Sequence, residues 1–419
     1  MSALTTAHHE QVKVQQPTVA SHVRDYIQRV RGGDIGSLPA ILGLVVLCTV
    51  FAILRPALFT AGNFANLFTQ GAAVTLIAMG LIFVLLLGEI DLSAGYASGV
   101  CAAVLAVLLT DKGWPWYGAV AAALATGAVI GLFLGLMVAK VGIPSFVVTL
   151  AAFLAFQGVV LLILEEGKNI SVQDDVVLGI AFDGYVPPWL GWLLFALAVG
   201  GFAGSQLVTR RSRAAQGLVT DPLAIIAARV GGLALILGTG VFVLNQERSR
   251  NPAFNSLKGM PVVVVLIGVL LIVLTFLLRR TSYGRHVYAV GGNAEAARRA
   301  GINVDRIRVS VFVIGSTMAA IGGIVAASRA ASVDPNTGGS RVLLYAVAAA
   351  VIGGTSLFGG KGRVLDAVLG GAVIAVIDNG MGLMDFSSGQ KFIFTGLFLL
   401  LAATVDALSR RRASATGVR

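Results

Sequence analysis

Charge is what this sequence has least of. Lys, Arg, Asp and Glu fill only 12% of its 419 positions, where a soluble domain carries about a quarter. A soluble chain of this length needs a charged surface, so the shortage excludes an ordinary globular enzyme. Cysteine is scarce too. Cys48 and Cys101 both lie inside apolar runs, which leaves no disulfide framework. The four histidines, His8, His9, His22 and His286, form no metal-ligand spacing with each other or with cysteine. Residues 1–37 lack an apolar core followed by a small-residue cleavage site. They read as a cytoplasmic tail, not as a signal peptide.

What the chain has in abundance is hydrophobic residues, 57% of the total. They come in blocks of roughly twenty, the length that crosses a bilayer as a helix. Twelve such blocks are predicted, near 38–55, 65–87, 92–110, 116–139, 145–164, 189–208, 229–245, 261–278, 309–327, 342–358, 364–379 and 391–408. The fold class is all-α: a polytopic membrane protein of about 12 transmembrane helices, spanning 38–408 between tails at 1–37 and 409–419.

The net charge of +11 could suggest nucleic acid. Its distribution points instead to the excess of Lys and Arg in cytoplasmic loops. With both termini cytoplasmic, 22 of the 31 Lys and Arg fall inside and nine outside. Trp114, Trp116, Trp189 and Trp192 fall at the outer interface, where aromatic anchors belong. One outer loop dissents, with Arg248, Arg250 and Lys258 against Glu247. Another, 165–188, carries five acids against Lys168 and is read either as a solvated loop or as a docking surface for a soluble partner.

Two glycine-rich breaks interrupt the apolar pattern in similar ways: GEIDLSAG (Gly88 to Gly95) and GGTSLFGGKG (Gly353 to Gly362). They hint at an internal duplication of the kind seen in transporters. Gly360-Lys361 is the nearest approach to a nucleotide-binding P-loop. It lacks the first glycine (Thr355 stands there) and the magnesium-binding hydroxyl (Gly362). Span four carries Ala119, Ala123, Gly127, Gly131 and Gly135 at four-residue steps, a stripe suited to close helix packing.

The longest inner segment between spans, 279–308, is the most informative. Asn293 can cap a short helix, Ala294 to Arg299, that Gly301 would end. It would expose Glu295, Arg298 and Arg299 to a partner. Acidic groups near membrane depth are expensive and usually functional. Glu89 and Asp91, with Ser93 beside them, either line a pathway or cap broken helices. Asp378, beside Asn379, carries the same two readings; Asn379 and Asp385 are interfacial or pore-lining, and Gln157, in mid-span, is a further pathway candidate.

YAVGGNAEAARRAGINV (Tyr288 to Val304), preceded by Gly284-Arg285, resembles the coupling loop of monosaccharide ABC importer permeases of the ribose, xylose and galactose type. GEIDLSAG, IPSFVVTL (Ile143 to Leu150) and VIGGTSLFGG (Val351 to Gly360) agree, and the likeness runs from about residue 60 to the C-terminus. DNGMGLMD (Asp378 to Asp385) is most similar to the D-xylose permeases, as is the additional pair of spans within 189–260. Ala94 stands where valine is usual, and Arg299-Ala300 where Leu-Ser is common. The resemblance implies a type II-like importer permease in the bacterial inner membrane, among membrane lipid. Two copies would form a homodimer, with ABC ATPase subunits on the coupling loops and an extracytoplasmic sugar-binding protein outside. ATP and Mg would belong to the ATPase, this chain carrying no cofactor, no metal and no nucleic acid. D-xylose is the cargo it implies, with ribose, galactose or another small polar solute as alternatives. An ion-coupled secondary transporter is the rival of another class. It would need ionisable groups at mid-membrane, and the spans show almost none.

Overall fold

Polar residues and prolines punctuate the apolar blocks: Thr60, Thr281, Asn293 and Asn303 cap helices with their side chains, and Pro115, Pro144, Pro187, Pro222 and Pro261 precede others. In the computed structural model, which describes residues 36–415 except 166, 250, 252, 254 and 255, together with Ser21, Arg24 and Gln28, the chain is a helical bundle. Its helices are α1 (Leu38–Leu54), α2 (Ala61–Leu86), α3 (Ala94–Ala106), α4 (Trp116–Leu136), α5 (Ser145–Ile163), α6 (Asp175–Ala181), α7 (Pro188–Ala215) and α8 (Leu223–Leu244). There follow α9 (Val262–Arg280), α10 (Ser282–Gly292), α11 (Ala294–Arg299), α12 (Val304–Ala330), α13 (Ser340–Ile352), α14 (Val364–Leu383) and α15 (Ser388–Ala415). Wide π-turns extend α3 to Asp111 and α4 to Val141. Among the described residues ten helices are long and apolar enough to cross a membrane, and α1 and α13 are shorter apolar ones.

Burial sorts the helices into a centre and a rim. The apolar stretches of α2 and α14 are 78% buried, while those of α7 and α15 are only 6% buried. α12 lies beside α2, α3 and α4. The small-residue stripe of α4 forms one of these seams: Gly127 faces Ser316 and Ala320, and Gly131 faces the backbone of Phe312 and Val313. The stripe thus packs inside the subunit, because any side chain at Gly131 would overlap that backbone.

Two short antiparallel pairs tie loops together at the end of the bundle that carries the tryptophans. β1 (Ile170–Ser171) pairs with β4 (Ser332–Val333), and β2 (Tyr185–Val186) with β3 (Met260–Pro261). The acidic loop 165–188 is therefore largely ordered, with Asp174 Oδ1 accepting Val176 N and Val177 N to cap α6. Of the dissenting cations of the 245–259 loop, Arg250 lies outside the described residues, Lys258 pairs with Glu247 at 3.7 Å, and Arg248 is a local clamp. Arg248 donates to the carbonyls of Leu244 and Gly259 and lies 4.9 Å from the Tyr185 ring.

Several predicted boundaries shift: the sixth span runs on to Ala215, the seventh starts at Leu223 and the ninth at Val304. The tenth span, expected at 342–358, stops at Ile352, because Gly353 abuts the backbone of Asp366 and the chain must turn. The last span and its tail form one helix as far as Ala415. α3 begins inside the bundle: its Ser98 meets Gly323, roughly 28 Å along α12 at about 1.5 Å per residue. The Gly88–Ser93 segment therefore climbs into the bundle as non-helical backbone. Such backbone is tolerated at membrane depth only where protein or a polar cavity covers it.

Candidate functional site

At the tryptophan end, polar side chains from five helices converge. The first turns of α2 present Asn63, Asn66 and Gln70 three and four residues apart, hence on one face. Asn63 and Asn379 of α14 exchange two amide hydrogen bonds of 2.9 and 3.0 Å, and Asn379 Nδ2 also donates to Gln70 Oε1 at 3.2 Å. Gln70 Nε2 donates to Asp378 Oδ2 at 2.6 Å. The other carboxylate oxygen meets Arg341 of α13 at 3.0 Å and Lys391 of α15 at 3.6 Å. Asp378, whose side chain is 12% exposed, is thus paired with two cations at the end of an apolar bundle. The Arg341 guanidinium also lies over the rings of Tyr345 and Phe392. Arg329, ending α12, donates to Asn66 Oδ1 at 3.2 Å, beside a cavity of about 290 Å³ lined by Asn66, Thr69, Ala181, Phe182 and Arg329. Amides, which both donate and accept, together with a neutralised carboxylate can hydrogen-bond a neutral polyhydroxyl solute without binding an ion.

Sequence reading singled out Asp378 and Asn379 here. It missed Asn63, Gln70 and Arg341. The only local signal of Asn63 and Gln70 was the polar start of α2, which reads equally well as the end of a loop, and Arg341 opens α13 as an ordinary flanking cation would. Gln157 is not brought to this cluster. It is exposed on α5, on the face that carries Leu150, Leu154 and Leu161.

At the opposite, basic end, Asn293 Oδ1 accepts Ala296 N at 2.9 Å and caps α11, as its sequence predicts. Gly301 has φ +83°. Around it Ile302 N bonds Ala297 O and Gly301 N bonds Arg298 O, each at 3.0 Å, the paired closure that a left-handed glycine permits. Glu295, Arg298 and Arg299 side chains are 60%, 58% and 80% exposed, with Glu295 3.6 Å from Arg298 and 3.5 Å from Arg299. The segment holds a second helix that the sequence reading missed. α10 is capped by Thr281 Oγ1, and its Tyr288 hydroxyl donates to Gly362 O at 2.8 Å.

The two glycine-rich breaks meet at this end. Gly360 N donates to Leu86 O at 2.8 Å, and Gly359 packs on Gly88 and Gly291. Within GEIDLSAG the acidic residues separate in role. Asp91 Oδ1 accepts Ser93 N at 2.8 Å and Ser93 Oγ at 2.7 Å, bracing the start of α3. Ser93 is the N-cap residue but its own side chain makes no cap bond. Glu89 caps nothing; its carboxylate lies 3.1 Å from Arg308 Nε of α12.

A membrane-spanning bundle with broken helices, a capped surface helix at one end and a neutral polar cluster at the other is the build of a transport permease. The chain belongs to the family of branched-chain amino acid transport system permease components, whose profile matches residues 63–403. It is thus a multi-pass membrane subunit of a transport system and not an enzyme. Among relatives it is 37% identical to the xylose transport system permease protein of Escherichia coli (strain K12), over 85% of this chain and 87% of that one. It is 34% identical to the xylose transport system permease protein of Haemophilus influenzae, over 89% and 96%. To the ribose import permease protein of Escherichia coli (strain K12) it is 29% identical, over 88% and 92%. No solved structure matches it.

Proposed function

We propose that this chain is the membrane subunit of an ATP-driven importer that carries a pentose, D-xylose, into the cytoplasm. The observation that carries the choice of sugar is its 37% identity to a xylose permease along 85% of its length, against 29% to a ribose permease. The geometry is consistent with one route. Sugar handed over by a binding protein enters at the tryptophan end, past Asn66, Gln70, Asp378 and Asn379. An ATPase subunit acts at the basic end on α11, through Glu295, Arg298 and Arg299. Both termini lie on the cytoplasmic side, and two copies line the pathway. ATP and Mg stay on the ATPase. The neutral amide row suits hydroxyl groups, which exchange such bonds for water at little net cost. Weak, exchangeable contacts are what passage requires.

The test is uptake of labelled sugars by vesicles that hold this permease with its own ATPase and binding protein. Xylose should accumulate when ATP is supplied, and a tenfold excess of unlabelled ribose should compete poorly. Ribose accumulating faster than xylose, or uptake without ATP, would overturn the assignment.

A further inference from the structure

The ion pair between Glu89 and Arg308 is not among the residues assigned above to the sugar route or the ATPase contact, yet it joins elements next to both. We infer that this pair is the link through which movement of α11 reaches the start of α3. The inference rests on reading α11 as the ATPase contact. Glu89 and Arg308 act as positioning residues and touch neither sugar nor nucleotide.

α11 and α12 are consecutive capped helices. Four residues separate Arg299 from Val304, and Asn303 Oδ1 accepts Arg306 N at 3.0 Å to fix the start of α12. Arg298 and Asp305 come within 4.0 Å across that joint, and Lys140 at the end of α4 lies 3.4 Å from Asp305. A displacement of α11 is therefore passed to the first turns of α12, where Arg308 sits. Its partner Glu89 starts the non-helical climb to α3. Their side chains are 29% and 14% exposed, so water and salt screen the pair less than the surface pairs of α11.

The rest of the climbing segment is held from elsewhere. Ile90 N donates to Ser145 Oγ at 3.1 Å, and Thr149 Oγ1 donates to Ile90 O at 3.1 Å, both from the start of α5. Glu89 is thus where the segment meets α12 by charge. The pair is electrostatic, not a directed hydrogen bond: Arg308 Nε is 3.1 Å from the carboxylate, but no acceptor lies in its hydrogen-bonding direction. Coulomb attraction depends on distance far more than on angle, so the contact survives a tilt of α12 that would break an aligned hydrogen bond. Asp91 Oδ2, two residues on, is buried and accepts no hydrogen bond among the described groups.

The experiment uses the complete transporter in vesicles and reads sugar uptake per ATP hydrolysed, with ATPase co-purification as the check on assembly. Glu89→Gln should lower uptake per ATP by about tenfold, within the range of ordinary allosteric couplings, with the complex assembled. The reversed pair, Glu89→Arg with Arg308→Glu, should recover most of that loss. If Glu89→Gln does not assemble, Arg308→Lys carries the test. It keeps the charge, loses reach, and should lower the ratio several-fold. Parental coupling in the variant that assembles, or a reversed pair no better than either single reversal, overturns the link. Gly301→Val, measured alongside, separates the two readings. If it uncouples while the Glu89 and Arg308 variants do not, the link fails and the α11 contact stands. If it couples normally, the α11 contact fails and takes the link with it.

Discussion

At the tryptophan end Asn63, Gln70 and Asn379 satisfy one another through neutral amides, with a single carboxylate neutralised twice over. At the basic end the corresponding work falls to charge: Glu295 with Arg298 and Arg299, Asp305 with Arg298 and Lys140, Glu89 with Arg308. Amide contacts are short-ranged, directional and cheap to exchange for a solute hydroxyl. Charge pairs act over longer distances and tolerate rotation. The difference fits an end that must let a neutral molecule pass and an end that must pass on a push.

Breaking the neutralised carboxylate should have the largest effect. Asp378→Leu leaves Lys391, 19% exposed, and the half-exposed Arg341 without their counter-charge, and losing a hydrogen bond to a charged group costs about 1.5–3 kcal/mol. The purified permease should melt at lower temperature, and uptake should be abolished. Asn379→Ala removes three hydrogen bonds and leaves Asn63 and Gln70 partly unpaired, an expected loss of about 1–3 kcal/mol. Uptake should fall more steeply than binding-protein-stimulated ATP hydrolysis, whereas a purely structural defect would lower both together.

At the charged end, Gly301→Val forces a β-branched side chain into a left-handed backbone and should uncouple hydrolysis from uptake with little loss of stability. Asn293→Ala removes only the cap, about 1 kcal/mol, and should give a milder version of the same phenotype. If this ordering were inverted, with the cap mattering more than the glycine, then helix formation and not the shape of its end would carry the contact.

How much of this was legible in sequence depended on distance along the chain. α11 could be read because its cap, its body and its closing glycine lie within nine residues. α10 was missed because SYGRHVYAVGG mixes glycines with β-branched residues, and packing against α9 and α12, not propensity, makes it helical. The polar cluster was half legible. Asp378 and Asn379 stand out in an apolar run, but Asn63 is 316 residues away from its partner, and nothing local announces the pairing. The role of Glu89 was open between pathway and cap; the structure pairs it with Arg308, a partner far away in sequence that nothing local announces.

The smallest expected effect concerns the loop of the tryptophan end that breaks the charge rule. Hydrogen bonds from Ser256 Oγ and from the backbone N–H groups of Ser249, Leu257 and Arg248 hold the Glu247 carboxyl down to about 2, from an ordinary 4.5. A lowered carboxyl pKa contributes order that is complete above the ordinary value and is lost as pH falls from there towards 2. Amide exchange at Ser249 and Leu257, corrected for the intrinsic rate, should stay slow at pH 5 and quicken as pH falls below 4. Glu247→Gln should weaken protection already at neutral pH.

The division of labour between the two ends is tested most directly by single-cysteine crosslinking in membranes, with Cys48 and Cys101 replaced by serine. A cysteine introduced by Glu295→Cys should crosslink to the ATPase subunit, and one introduced by Asp174→Cys should not, reacting instead with a membrane-impermeant thiol reagent added from outside. An ATPase adduct at position 174, or outside labelling at position 295, would contradict the account.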